Sequence, residues 1–150
     1  TGIDDQGMQR KIGAIRMAIE TNQPNPRDGL DILAKLGGFE IGGLAGANLA
    51  AAANHRPVVI DGFISTAAAM IAILIAPEAR NYLIAAHTSM EHGHHLMMDW
   101  LEVQPLLNLQ MRLGEGTGAA LAMSLVEASC KILDEMTTFA EAGVAGKDNP

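Results

Sequence analysis

Arg56-Pro57-Val58-Val59-Ile60-Asp61-Gly62 is a short β-branched run with a proline near its start and a glycine at its end. It shows no polar alternation, so both of its faces are expected to be covered, as in a parallel sheet. Residues Ile64 to Ala76 follow as an apolar helix stopped by Pro77, and Tyr82-Leu83-Ile84-Ala85-Ala86 is the next strand candidate. Strand, helix and strand in that order predict a right-handed crossover between parallel strands, and so an α/β fold.

Upstream, Asp5 to Glu20 reads as an amphipathic helix with Met8, Ile12, Ile15 and Ile19 on one face. Thr21-Asn22-Gln23-Pro24-Asn25-Pro26 stops it. Asp28 can cap a second helix to about Leu36, which Gly37-Gly38 ends. A third helix is expected over Phe39 to Asn54. Its Gly42, Gly43 and Gly46 each cost about 1 kcal/mol against alanine, which predicts close approach to a neighbouring element. Downstream come a helix over Met90 to Val103, an extended or irregular segment over Pro105 to Met111 and a glycine-rich loop over Gly114 to Gly118. A long closing helix over Ala119 to Ala142 and a disordered tail over Gly143 to Pro150 complete the chain. Residues 1–142 thus read as one α/β unit and 143–150 as its tail.

Composition narrows the function classes. The 150 residues are 49% apolar but only 3% aromatic, so the core is built from Ala, Leu, Ile and Met. A net charge of -7, with no clustered basic face, argues against a nucleic-acid partner. The uncharged stretch Phe63 to Ala76 falls short of the roughly 20 residues needed to cross a bilayer, so it is expected to be a buried helix and no membrane partner is implied. Cys130 is the only cysteine, which excludes an internal disulfide and suits a reducing compartment. Its apolar neighbours predict a buried thiol. The charges Asp4, Asp5, Arg10, Lys11 and Arg16 interrupt any secretory leader. The opening on Thr1 rather than Met predicts a cut or processed chain.

In open α/β sheets, ligands bind beyond the carboxyl ends of the strands. Here those ends are Asp61-Gly62 and His87-Thr88-Ser89. Asp61 needs partners to be tolerated there; it either caps the next helix, bonds a loop or meets a ligand. Arg112-Leu113-Gly114-Glu115-Gly116-Thr117-Gly118 places one carboxylate among alternating glycines, at the mouth of an apolar helix. Its acidic centre suits proton abstraction better than phosphate binding, although spacing alone fits a helix cap with an incidental Glu somewhat better. His87, Glu91 and His95 stand four residues apart, but Gly93 breaks the helix that would align them, so no metal is expected. His92 and His94 read as surface residues.

Thr1-Gly2-Ile3-Asp4, Gly37-Gly38-Phe39-Glu40-Ile41, Asp61-Gly62-Phe63-Ile64-Ser65 and Leu113-Gly114-Glu115-Gly116-Thr117-Gly118 occur in this order. Through these motifs the chain resembles the C-terminal half of the nicotinate-nucleotide:dimethylbenzimidazole phosphoribosyltransferase family. The resemblance implies a Rossmann-like parallel sheet flanked by helices, with a long C-terminal helix. It implies a cytoplasmic, homodimeric enzyme of cobalamin biosynthesis that needs no cofactor. The reaction moves the ribose phosphate of nicotinate mononucleotide to 5,6-dimethylbenzimidazole. By the same resemblance Glu115 is the general base, Lys11 and Ser89 lie near the nucleotide phosphate, and Leu113 and Gly114 border the benzimidazole. A carboxylate desolvated in a largely apolar loop is a better base. The family chain is longer, and its N-terminal half supplies a further phosphate loop and much of the base pocket, so this chain alone is expected to be inactive. Two other readings stay open: a phosphoribosyltransferase for another base, and a non-catalytic assembly or binding domain.

Overall fold

The computed structural model describes residues 4–91 and 93–144. Helix α1 (Asp5–Asn22) starts where the Asp4 carboxylate accepts the Gly7 N–H at 2.7 Å, and α2 (Gly29–Leu36) starts at the Asp28 cap. After α3 (Phe39–Ala53), strand β1 (Val58–Ile60) leads into α4 (Phe63–Ile75). A 3₁₀ turn (Pro77–Tyr82) then leads into β2 (Leu83–Ala85). The two strands are parallel, with Val58 opposite Leu83 and Ile60 opposite Ala85. The expected strand, helix, strand order is therefore borne out.

Downstream, the irregular segment runs along β2. The N–H groups of Leu106 and Leu107 donate to the carbonyls of Ala85 and Ala86, and His87 forms a single parallel bridge with Leu107. Helices α5 (His94–Leu101) and α6 (Thr117–Glu135) complete the unit.

Helix α4 is the centre of the core, as its apolar sequence predicts. One side of it, Ala69 and Ile73, packs with Ile60, Ala85, Met98 and Leu101; the other, Ala68, Ile71 and Ala72, packs with Ala45 of α3. A Cβ on Gly29 would come within 2.8 Å of the Ile71 carbonyl, so α2 crosses α4 in near backbone contact. No described helix is long and apolar enough to cross a membrane.

Several expectations are corrected. The helix foreseen over Met90 to Val103 is confined to α5, because Gly93 takes φ +89° and Glu102 φ +57°, both outside the helical region. The closing helix ends at Glu135 rather than Ala142. Thr137 and Thr138 are poor helix formers, and the Glu141 carboxylate accepts both the N–H and the hydroxyl of Thr138. Gly43 and Gly46 meet no described atom within 4 Å, and Gly42 touches only Leu33 at an ordinary distance. The close approach expected of these glycines is absent among the described residues.

Cys130 is exposed, not buried. Beyond Ala122 no residue of α6 is buried, and Leu121, Leu125, Ile132 and Leu133 are exposed with Cys130. The apolar face of α1 is likewise uncovered: Met8, Ile15 and Ile19 are exposed and no α1 residue is buried. Of the expected tail, Gly143 and Val144 close a turn through N–H bonds to the carbonyls of Ala140 and Phe139; the remainder lies outside the described residues, as do Thr1-Gly2-Ile3 and His92.

Candidate active site

Asp61 leaves β1 at the carboxyl edge of the sheet, only 9% exposed. It does not cap α4, which follows it. Its Oδ1 accepts the Ala119 N–H at 2.9 Å and its Oδ2 accepts the Gly116 N–H at 3.2 Å. The carboxylate therefore satisfies free N–H groups at the start of α6, where a negative charge is also favoured by the helix dipole. Of the readings open from sequence, the loop bond is the one the fold uses.

Gly114, Glu115 and Gly116 have φ of +76°, +57° and +81°. Three successive left-handed residues are readily adopted only because two of them are glycine. The Thr117 N–H closes this turn on the Gly114 carbonyl at 3.1 Å. Glu115 stands exposed at its crest, with Leu113, 72% exposed, beside it. The apolar surroundings expected around Glu115 are thus not supplied by the described residues.

Beneath the crest lies a buried histidine pair. His87 is 2% exposed, and its Nε2 sits 3.6 Å from Asp61 Oδ1, a separation too long for a hydrogen bond. Among the described residues its Nδ1 is buried without a hydrogen-bond partner. Gly118, in the first turn of α6, packs directly against this ring. A Cβ there would fall 1.9 Å from His87 Cδ2.

His94, expected at the surface, is fully buried at the start of α5. The Ser89 N–H, which can only donate, reaches His94 Nδ1 at 3.1 Å. The proton therefore sits on Nε2, which faces Thr66 Oγ1 at 3.1 Å, while that hydroxyl donates to the Gly62 carbonyl at 2.8 Å. Burial, with repulsion from His87 added to it, holds the His94 imidazole below the ordinary histidine range, against an opposing attraction from Asp61. A readable signal for this position existed: His94, Met98 and Leu101 recur at helical spacing, and all three are buried.

The other foreseen residues divide into two groups. Ser89 joins the cluster: its N–H is held by His94, its hydroxyl accepts the Glu91 N–H at 3.2 Å, and its Cβ lies beside Gly62. Gly114 and Leu113 flank Glu115 on the loop. Lys11 is exposed on α1, whose packing partner is α2, and no described bond ties it to Ser89 or Glu115. His87 lies just past β2 in the interior while His95 is exposed on α5, so the four-residue spacing does not put them on one helix face. A cleft of about 460 Å³ elsewhere is lined by Leu33, Ala34, Phe39 and the glycines around them, and offers no ionisable side chain.

A carboxylate on a glycine turn, set at the carboxyl edge of a small parallel sheet, stands where ligands bind in open α/β sheets. The profile of one family, described as phosphoribosyltransferase, matches residues 1–144, and the chain belongs to that family. It is 65% identical over 147 residues to the nicotinate-nucleotide–dimethylbenzimidazole phosphoribosyltransferase of Chloroflexus aggregans, covering 98% of this chain and 42% of that protein. A protein of the same name from Roseiflexus sp. is 62% identical over 146 residues, covering 97% of this chain and 41% of that one. The crystal structure of CobT from Thermus thermophilus superposes with a TM-score of 0.89 at 42% identity, over 97% of this chain and 43% of that one. The chain therefore spans about two fifths of the length of the relatives it matches.

Proposed function

We propose that the full-length protein carrying this segment transfers the phosphoribosyl group of nicotinate mononucleotide to 5,6-dimethylbenzimidazole, giving α-ribazole 5'-phosphate and nicotinate. The observation that carries this reading is Glu115, raised on a left-handed glycine turn at the carboxyl edge of the sheet in a chain so similar to phosphoribosyltransferases of that name. One benzimidazole nitrogen attacks the ribose C1'. The bond from C1' to the pyridinium nitrogen breaks, its electron pair neutralising the nicotinate ring, so the leaving group needs little acid assistance. The second benzimidazole nitrogen gives its proton to Glu115, whose general-base help is worth about 10²–10⁴-fold.

In this reading Leu113 and Gly114 border the acceptor base, and Ser89 and Lys11 serve the nucleotide phosphate. Ser89 stands at the sheet edge beside Gly62; Lys11 depends on how α1 meets parts of the protein outside this segment. The protein works in the cytoplasm as a homodimer, in assembly of the lower ligand of cobalamin. No metal or redox group takes part.

The segment by itself is inactive. It spans 42% of a relative's length, and the faces of α1 and α6 leave apolar side chains uncovered; such patches favour association. Purified alone, it is expected to self-associate and to leave nicotinate mononucleotide unchanged. Steady turnover by a monodisperse monomer would refute this. The full-length enzyme tests the base: Glu115→Gln keeps the side chain's size but cannot take a proton, so turnover with dimethylbenzimidazole should nearly vanish while the melting temperature holds.

A further inference from the structure

We propose that Asp61 is the positioning residue for Glu115: it never touches substrate, but grips the loop backbone and so fixes where the base points. The proposal rests on the reading of Glu115 as general base. Both carboxylate oxygens of Asp61 are already engaged, Oδ2 by the Gly116 N–H and Oδ1 by the Ala119 N–H, and the residue is 9% exposed. A side chain so committed is poorly placed to meet a ligand as well. Its two bonds do fix something specific. One falls on the residue immediately after Glu115, the other on the first turn of α6, so the turn between them cannot swing without breaking a charge-assisted hydrogen bond.

The grip has a backing. His87 Nε2 lies 3.6 Å from Asp61 Oδ1, on an interior strand end, and Gly118 presses α6 onto the same ring. The end of β1, the end of β2 and the start of α6 therefore meet at one carboxylate. Glu115 itself has φ +57°, a conformation that a non-glycine residue holds only when its surroundings fix it. Asp61 supplies the two described side-chain bonds to this stretch of backbone. A plain helix cap would need only the Ala119 bond; the Gly116 bond acts on the loop.

The test is a double-mutant cycle in the full-length enzyme, with nicotinate mononucleotide and dimethylbenzimidazole as substrates. Asp61→Asn keeps the shape and one acceptor oxygen but turns an NH₂ group toward the other N–H. We expect kcat to fall roughly 10- to 100-fold, the range for a charged hydrogen bond lost, with KM for nicotinate mononucleotide nearly unchanged. In a Glu115→Gln background the same change should alter kcat less than about threefold, because no base remains to be aimed. Asp61→Ala, which removes both acceptors without turning a donor toward either N–H, guards against an artefact of the NH₂ group in the Asn variant and should show the same dependence on Glu115. Equal fold-losses in both backgrounds would overturn the proposal. So would normal kcat with only a lowered melting temperature in either variant, since Asp61 would then be a cap and nothing more. Near-normal turnover by Glu115→Gln alone would instead sink the base assignment, whatever Asp61 did.

Discussion

The crest of the candidate site and its foundation are built on opposite terms. Leu113, Gly114 and Glu115 stand in the open or half-open, held by backbone turns, and touch little of the described chain. Beneath them, Asp61, Thr66, His87 and His94 are all buried, and the side-chain polar atoms of all of these but His87 have a hydrogen-bond partner. The difference separates two kinds of residue. Changes at the crest should alter chemistry and spare stability; changes in the foundation should cost stability, and of its residues Asp61, which grips the backbone of the crest, should alter chemistry as well.

The sharpest division comes from Glu115→Gln in the full-length enzyme. A lost general base should lower kcat about 10²–10⁴-fold with smaller effects on substrate binding. An incidental helix cap, by contrast, would leave the rate alone and cost about 1 kcal/mol of stability. Parallel measurement of kcat and of thermal unfolding decides between them, and near wild-type turnover would erase the contrast.

Gly118→Ala attacks the foundation. The new methyl would fall 1.9 Å from His87 Cδ2, and that ring is itself enclosed. Either the ring or the first turn of α6 must move, and overpacking of this kind destabilises by about 1–3 kcal/mol. Urea unfolding of the full-length protein measures it. An unchanged midpoint would show that the ring has room to retreat.

Thr66→Val is expected to act more weakly and at one point. It removes the hydroxyl that faces His94 Nε2 at 3.1 Å, leaving a buried N–H unpaired at a cost of about 1–2 kcal/mol. Turnover per folded molecule should stay within about twofold, since Thr66 lies below the crest. A variant as stable as the parent would mean that His94 finds another acceptor.

The same contrast explains what the sequence discloses. The β1–α4–β2 order is readable because Val58-Val59-Ile60 and Leu83-Ile84-Ala85 are local signals, and Asp61 and the Gly114-Glu115-Gly116 turn stand out singly. Their bond does not, because it joins positions 55 and 58 residues apart and only tertiary packing closes it. His94 is hidden among polar neighbours that suggest a surface, although Met98 and Leu101 share its buried face. Gly118 reads as one more loop glycine until the His87 ring appears beneath it. Cys130 fails in the other direction: its apolar neighbours imply burial, but burial needs a covering element, and the described chain provides none at that part of α6.

The smallest effect should be a dependence of stability on pH that His94 brings to the foundation. His94 is neutral in the folded chain, with Nδ1 accepting the Ser89 N–H, and its pKa is lowered from 6.5, chiefly by burial. The unfolded chain titrates near the ordinary value and takes up a proton first. Stability is therefore fully present above about pH 6.5 and is lost as pH falls from there toward the lowered folded value, because the unfolded state binds more protons. One proton gives a slope of at most about 1.4 kcal/mol per pH unit. Protonation of the folded state would set two donors, the Ser89 N–H and Nδ1–H, against each other, so the loop at Ser89 should loosen along with the fold. Denaturant unfolding between pH 5 and pH 8 measures the slope, and His94→Gln in the same series isolates this histidine's share. The parent's loss of stability below pH 6.5 should be shallower in that variant. Identical pH profiles for the two would show that His94 is not the group responsible.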